Sequence, residues 1–404
     1  MGYAFLSPPF ADPCETAPFP VAGTCALAAT RIALSDFRSY ATTELSLGGP
    51  APVVLCGPNG IGKTNLLEAV SLLSPGRGLR GARLPAMLRK NLDGQSAESW
   101  AVSATLMRVP DGEWQIGAGY MSSTPGMQPR RVFHLNGVPA EAAEIAELVP
   151  VLWLTPAMDR LFLEGAQLRR RFLDRLVFAL VPAHARKSAR YERALSDRLH
   201  LLREGSRRGN WLDALEKTMA EDGAAINAAR QELTDLLNAE LNARRAEGAF
   251  PCAHLSLAGE AGDVSRDPAA LMQLFAASRQ RDGESGRTNC GPHTVDLEVR
   301  HVGKNSDARE CSTGEQKALL ISIVLGDAWL KRKRHGVAPM LLLDEIAAHL
   351  DAQRRAALFE EILALNSQAW LTGTDRQLFS PLYGRAEFVT VENGRFAPAG
   401  ERAA

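Results

Sequence analysis

The residues best suited to chemistry in this 404-residue chain fall in three short runs far apart in sequence. The run Gly57-Pro58-Asn59-Gly60-Ile61-Gly62-Lys63-Thr64 fits G-x-x-x-x-G-K-[ST]. Glycines there let backbone N–H groups wrap phosphates, and a following helix adds positive potential at its start. Lys63 is placed for the β/γ-phosphates, and the Thr64 hydroxyl for Mg²⁺. Much later, Met340-Leu341-Leu342-Leu343 runs into Asp344-Glu345. An apolar strand ending in two carboxylates offers Asp344 to the metal's coordination shell and Glu345 as the base that orients or deprotonates an attacking water. Alone, such a strand end reads as solvated; behind a phosphate loop it gains a role. Between them, Ser312-Thr313-Gly314-Glu315 begins 32 residues before Asp344. A Ser and a Gly opening a helix make a second anion site, although Ser312 with Glu315 also fits a plain capping box.

Elements must hold these runs in place. Val53–Cys56 is a short apolar run entering the glycine-rich turn, as a buried strand would. A helix follows from Thr64, with Leu66, Leu67, Val70 and Leu73 on one face and Pro75 stopping it. The segment 27–47 suggests short strands around a loop, and 100–138 alternates and carries Asn-Gly and other turn signals, so both read as β structure. From about Pro156 to Gly248 the chain is helix-rich, with one continuous stretch from Trp211 to Glu247. Residues 257–287, rich in Asp, Gly and Ser, read as partly loop. Strand-like segments resume at 295–302, 339–343, 369–372 and 386–391. An α/β pattern therefore starts, is interrupted by helices, and finishes later. The expected division is a loose tail (1–27), a first half of the α/β lobe (28–155), a helical lobe with a short arm (156–287) and a second half (288–404).

Composition narrows the class. Lys plus Arg and Asp plus Glu each number 46, so the chain does not bind nucleic acid or anionic lipid merely by being basic. The six cysteines form no CxxC pair and read as reduced thiols of a cytoplasmic protein. No apolar run is long enough to span a membrane. The charge is uneven, however. Residues 159–208 hold 13 Lys or Arg against six acids, an excess of seven. Helices with that excess could follow a duplex backbone by charge rather than by reading bases. Arg169, Arg170, Arg171, Arg186, Lys187 and Arg190 are the candidate DNA contacts; for Arg169 to Arg171 the competing reading is pairing with Asp174 and other carboxylates inside the fold. Lys331-Arg332-Lys333-Arg334 is a second cluster, which would equally complement a helix dipole.

The order of phosphate loop, long gap, Ser-x-Gly-Glu and carboxylate strand resembles the ATP-binding-cassette class of ATPases. In that class two heads sandwich two nucleotides, so the resemblance implies that Ser312, Thr313, Gly314 and Glu315 face a partner's γ-phosphate. Asp351 of His349-Leu350-Asp351 resembles the loop that crosses the same interface. Only 248 residues separate Thr64 from Ser312, which leaves room for a short arm and no long coiled coil. Four further segments are similar to the RecF DNA repair family: Phe37-Arg38-Ser39-Tyr40, Asn59-Gly60 running into Lys63-Thr64-Asn65-Leu66-Leu67-Glu68-Ala69, Arg169-Arg170-Arg171-Phe172-Leu173-Asp174, and Gly291-Pro292-His293. The resemblance implies an α/β fold, a P-loop ATPase head of the cassette type with a mixed sheet and a helical second lobe. It further implies ATP and Mg²⁺ as ligands, an ATP-induced homodimer, and binding to single- and double-stranded DNA at gaps or junctions. Recombinase loading with RecO- and RecR-like partners, SOS induction and slow, switch-like hydrolysis follow from the same resemblance.

Three departures stand out. Thr294-Val295-Asp296 follow Gly-Pro-His where the family often has Arg-Asp-Asp. Residues 150–158 lack the Gln that cassette ATPases place there, with Asp159 a weak substitute. No His follows the strand at 369–372, so Thr372 or Thr374 would stand in. Two other readings stay open: a transporter-coupled cassette ATPase, and a scaffold that uses ATP only to dimerise.

Overall fold

A computed structural model describes residues 26–398, apart from 92, 109–110, 122–130, 179, 182, 205–208, 246–248, 261–262 and 393. Nearly all of the expected N-terminal tail, and Arg207 and Arg208 of the basic segment, lie outside the described residues.

The first hairpin joins β1 (Leu27–Phe37) to β2 (Tyr40–Ser46) through a two-residue turn, with Phe37 opposite Tyr40. Arg38 in that turn has φ 53°, a left-handed conformation unusual for a non-glycine residue. Its guanidinium holds it there, gripping both oxygens of Glu68 at 2.8 Å and the Ala86 carbonyl at 2.7 Å. Then come β3 (Val53–Cys56), α1 (Lys63–Ser71), β4 (Ser99–Arg108), β5 (Gly112–Met121), β6 (Arg131–Leu135), β7 (Val138–Ala140), α2 (Ala142–Leu148) and β8 (Val151–Leu154). Asn136 and Gly137, both at positive φ, close the β6–β7 hairpin as the Asn-Gly signal requires. β1, β2 and β4–β7 form one antiparallel sheet in the order β2-β1-β4-β5-β6-β7.

The helical part comprises α3 (Ala166–Phe178), α4 (Ala183–Arg203) and α5 (Gly209–Ala243), followed by β9 (Ala253–Ala258) and α6 (Pro268–Ser285). At 1.5 Å per residue, the 35 residues of α5 reach about 52 Å. The partly loop-like expectation for 257–287 is corrected by α6, an 18-residue helix. Its boundaries carry clear signals: Asp267 caps it by accepting from the Ala269 N–H, Pro268 sits in the first turn, and Gly286 ends it at φ 65°. Leu271 and Phe275, one turn apart, bury it against α4 and α5. β10 (Asp296–His301) and β11 (Ser306–Asp307) pair with β9 in a small sheet, so the expected division at residue 288 runs through this unit.

The chain returns through α7 (Thr313–His335), β12 (Met340–Leu343), α8 (Ala352–Leu365), β13 (Ala369–Gly373), β14 (Glu387–Glu392) and β15 (Arg395–Pro398). These complete a second sheet, β15-β14-β3-β13-β12-β8, in which β14, β3, β13, β12 and β8 are parallel. Its strands are buried on both faces, which explains their unbroken apolar runs. One core lies between the two sheets and α1; the other joins the parallel sheet to α3, α5, α7 and α8. α7 lies in the second of these cores, buried from Gln316 through Ala328, and Gly326 admits α5, since a Cβ there would meet Leu241 at 2.8 Å.

Candidate nucleotide site and basic helical lobe

Parallel pairing of β3, β13 and β12 brings the ends of three strands together, at Cys56, Gly373 and Leu343. Ligands of open α/β sheets bind beyond such carboxyl ends. The phosphate loop leaves β3 there. Gly62 has φ 116°, and a Cβ on it would strike the Tyr40 hydroxyl at 2.7 Å, so only glycine fits. That hydroxyl donates to the Gly62 carbonyl at 3.0 Å, fixing the loop to the β1–β2 turn. α1 has no acidic residue in its first turn, so its N-terminal potential is left for an anion.

Five side chains, from α1, the end of β12 and β13, converge on this point. Lys63, 5% exposed, donates from Nζ to the carbonyls of Gly57 at 2.7 Å and Pro58 at 3.0 Å, and lies 3.6 Å from Glu345 Oε1. The Thr64 hydroxyl donates to Asp344 Oδ1 and Oδ2 at 3.0 and 3.1 Å, across 280 positions of sequence. Thr372, fully buried at the end of β13, donates its hydroxyl to Asp344 Oδ1 at 2.8 Å and accepts from the Glu345 N–H at 2.8 Å. Glu345 is at φ 52°, ψ 24°, a strained conformation for Glu that this bond helps to fix. Of the two threonines offered in place of the missing histidine, Thr372 bonds to Asp344 and Glu345, and Thr374 is exposed just beyond the strand.

The flank of α1 contains a cluster that spacing alone did not indicate. Glu68, completely buried, pairs with both Arg38 and Arg80, and Arg80 also donates to Asn65 Oδ1 at 2.7 Å. Asn65 Nδ2 in turn donates to Ser39 Oγ at 2.9 Å. The signal was an acid in a run that is otherwise apolar, Leu66-Leu67-Glu68-Ala69-Val70. Asp159 does not face this site; it pairs with Lys317 Nζ of α7 at 3.1 Å.

At the N-terminus of α7, both bonds of the capping box form: Ser312 Oγ accepts from the Glu315 N–H, and Glu315 Oε2 accepts from the Ser312 N–H. Ser312, Thr313 and Gly314 are exposed, and nothing lies within 4 Å of a Cβ placed on Gly314. Lys304 pairs with Glu315; its hydrogen bond, followed by that from Ser312, brings the carboxyl down to about 2. Asp351 is exposed and caps α8 by accepting from the Arg354 N–H at 2.8 Å.

The basic segment looks different folded than it does in sequence. Arg169 is corrected as a DNA contact: it is 5% exposed, grips both oxygens of Asp296 at 2.8 and 2.7 Å, and donates to the carbonyls of Leu161, Phe162 and Glu164. Its partner is Asp296 rather than Asp174, which instead binds His184 and Arg230. Arg175 is stacked over Trp153 and Phe172, and Arg198, fully buried, holds Glu216 and Asp282. Arg170 is half-buried and donates to the Val295 carbonyl at 3.1 Å. Arg190 is exposed, but Asp222 neutralises it at 2.5 Å. Arg171, Arg186 and the half-buried Lys187 have no carboxylate partner among the described residues. The second cluster is spent internally too: Lys331 pairs with Asp327, Lys333 with Glu240, Arg334 with Glu232, and Arg332 donates to the Ala364 carbonyl.

In the last of the family segments, Gly291 donates its N–H to Asp263 at 2.5 Å, the Pro292 carbonyl accepts from Arg230 at 2.6 Å, and His293 Nδ1 meets the Tyr191 hydroxyl at 2.7 Å. These are internal contacts that tie the small sheet to α4 and α5. Among the described residues no helix is long and apolar enough to cross a membrane, and Cys56, Cys252, Cys290 and Cys311 are free thiols.

A phosphate loop facing a carboxylate strand, with a serine-capped helix packed against the same sheet, defines a cassette-type ATPase head, and the pattern of the RecF/RecN/SMC N terminal domain matches residues 28–393. A DNA replication and repair protein RecF from Mesorhizobium japonicum is 49% identical over 376 residues, covering 91% of this chain and 97% of that protein. One from Agrobacterium fabrum is 48% identical over 371 residues, covering 90% and 97%. The chain belongs to the RecF family. A solved structure of the recombination mediator protein RecF-ATPrS in the RecFOR pathway shares the fold, with a TM-score of 0.79 at 21% identity, covering 93% of this chain and 99% of that one.

Proposed function

We propose that this chain is an ATP-gated DNA-binding protein of recombinational repair, acting as a dimer on gapped or junction DNA with RecO- and RecR-like partners. The convergence of Lys63, Thr64, Asp344, Glu345 and Thr372 on one point carries the reading. In it, the backbone from Gly57 to Gly62 and the Lys63 ammonium hold the β/γ-phosphates of ATP, and Asn65 anchors the loop. The hydroxyl of Thr64 and the carboxylate of Asp344 are hard oxygen donors side by side, the pair that suits Mg²⁺ when nucleotide phosphates and water complete its shell. No group of three His, Cys, Asp or Glu gathers among the described residues, consistent with a metal held jointly with nucleotide rather than by a protein cage. Mg²⁺ bound there would neutralise charge developing on the transferred phosphoryl group.

Glu345 orients or deprotonates the water, and Thr372 fixes its backbone. Ser312, Thr313 and Gly314, exposed at the head of α7, serve the nucleotide of a second copy together with the half-buried Glu315, and Asp351 serves the same interface. The family membership sets aside the transporter reading. DNA contacts in the helical lobe fall to Arg171, Arg186 and Lys187, three cations of that segment that no carboxylate neutralises among the described residues.

Binding to gapped DNA with ATP, with ADP and without nucleotide tests the reading, alongside light scattering for the dimer. Parent protein should dimerise and bind with ATP, while Ser312→Arg should fold, bind ATP and remain monomeric. Equal light scattering in all nucleotide states would defeat the composite site.

A further inference from the structure

Beside the antiparallel sheet, the loop leaving α1 and strands β5 and β6 line a cleft of about 630 Å³. That is far more than one water, which occupies about 30 Å³ of liquid volume, and gives room for a sugar-phosphate unit. Three arginines line it, Arg77, Arg83 and Arg131, and no acid does. Arg77 and Arg83 are exposed on either side of a turn, and neither makes a hydrogen bond or ion pair with the described protein.

Arg131 is the unusual member. Its Nη2 donates to the Ser74 carbonyl at 3.2 Å and its guanidinium lies 4.6 Å from the centre of the Phe133 ring, yet Nη1 is buried with no partner. Burial without a neighbouring carboxylate holds its pKa down to about 10. A buried guanidinium with a free N–H is costly unless an anion or acceptor meets it. Arg169 and Arg198 are met by carboxylates, Asp296 for the first and Glu216 with Asp282 for the second, whereas Arg175, like Arg131, has an unpartnered nitrogen but lies between Trp153 and Phe172 and lines no cleft with other arginines. The aromatic walls offer no free ring for a base, because Tyr120 stacks on Trp100 and Arg131 covers Phe133. The cleft recognises charge and no base.

We propose that this cleft binds a phosphate of the DNA backbone, with Arg77 and Arg83 at its mouth and Arg131 at its back, as a second contact region distinct from the helical lobe. The inference rests on the DNA-binding reading above. It assigns to the α/β lobe a share of the affinity that the folded basic segment, with Arg169, Arg175 and Arg198 turned inward, does not supply.

The test is a salt titration of gapped-DNA binding, with ATP saturating, for the parent and for Arg77→Ala/Arg83→Ala. Both positions are exposed and unpaired, so the double variant should fold and bind ATP as the parent does. Its affinity should fall roughly tenfold and its log K against log [salt] slope should shrink by about two. Arg131→Met should shrink the slope by about one. If the double variant keeps the parent's affinity and slope, the cleft is not a DNA site, while DNA binding by the parent still stands. If the parent itself binds no DNA in any nucleotide state, the functional reading fails, and this inference with it. Calorimetry with inorganic phosphate separates the sources: phosphate binding lost in the double variant, with DNA binding unchanged, would assign the cleft to a free anion and overturn the proposal.

Discussion

Replacing Thr372 with valine keeps the shape of the side chain and its β-branch, so β13 and its packing should persist. The change removes one hydroxyl that makes two bonds, to Asp344 Oδ1 and from the Glu345 N–H, both at 2.8 Å. Thr372 is fully buried and Asp344 is 6% exposed, so water does not readily replace them. A hydrogen bond to a carboxylate contributes about 1.5–3 kcal/mol, and a stranded N–H costs about 1–3 kcal/mol, less where water reaches it. Thr372→Val should therefore lose about 2–4 kcal/mol of stability, read as a lower urea midpoint. Turnover should fall more than stability suggests. Glu345 sits at φ 52° and depends on this bond for its placement, and a shift of about 1 Å in a catalytic group can cost about a hundredfold. Single-turnover ATP hydrolysis at saturating nucleotide measures that loss, and Thr372→Ser should recover most of it. Thr372→Val with the parent's urea midpoint and turnover would refute the argument that this hydroxyl holds the carboxylates in place.

Glu345→Gln should bind ATP normally and hydrolyse it at least about a hundredfold more slowly, since a general base contributes about 10²–10⁴-fold; parent-like single-turnover rates would remove Glu345 from that role. Arg169→Met should cost about 3–5 kcal/mol by stranding the Asp296 carboxylate, with no change in the salt slope of DNA binding. Arg171→Ala/Arg186→Ala should do the reverse, and denaturation and DNA titration together check the pair. Burial opposes ionisation of Asp174, but hydrogen bonds from His184 and Arg230 outweigh it and bring its carboxyl down to about 2. Its folded-state pKa thus lies below the usual carboxylate value, so its contribution is complete above about pH 4 and is lost as pH falls through about 2. Between about pH 5 and pH 2 the parent should lose about 2 kcal/mol more than Asp174→Asn, measured by urea denaturation across that range.

Local signals carried most of the nucleotide site. The phosphate loop, the carboxylate strand and the serine-led helix are contiguous runs whose residue types declare their chemistry, and each falls at the expected element boundary. Turn and cap signals were equally local, as Asn136-Gly137 shows. The helix α6 was obscured by Asp, Gly and Ser, although Asp267-Pro268 and Gly286 marked its ends. Charge was the poorer guide. The excess of seven over 159–208 counts side chains without regard to the carboxylates that fold against them. Asp296 lies 127 positions from Arg169, and Asp282 lies 84 from Arg198, so no window of sequence contains both members of either pair.

The amino-acid order thus settled which backbone segments bend, cap and bear reactive groups, because those properties depend on neighbours a few residues away. Folding settled which of those groups meet. Pairing β3, β13 and β12 in parallel set Thr64 and Thr372 each within 3.1 Å of Asp344 and gave Thr372 a place in the site. Burial then sorted the cations. Those whose carboxylates arrived from distant strands and helices became struts, and others, such as Arg171, Arg186, Arg77 and Arg83, were left without one among the described residues. Pairwise electrostatics acts over a few ångströms of space, whatever the separation along the chain.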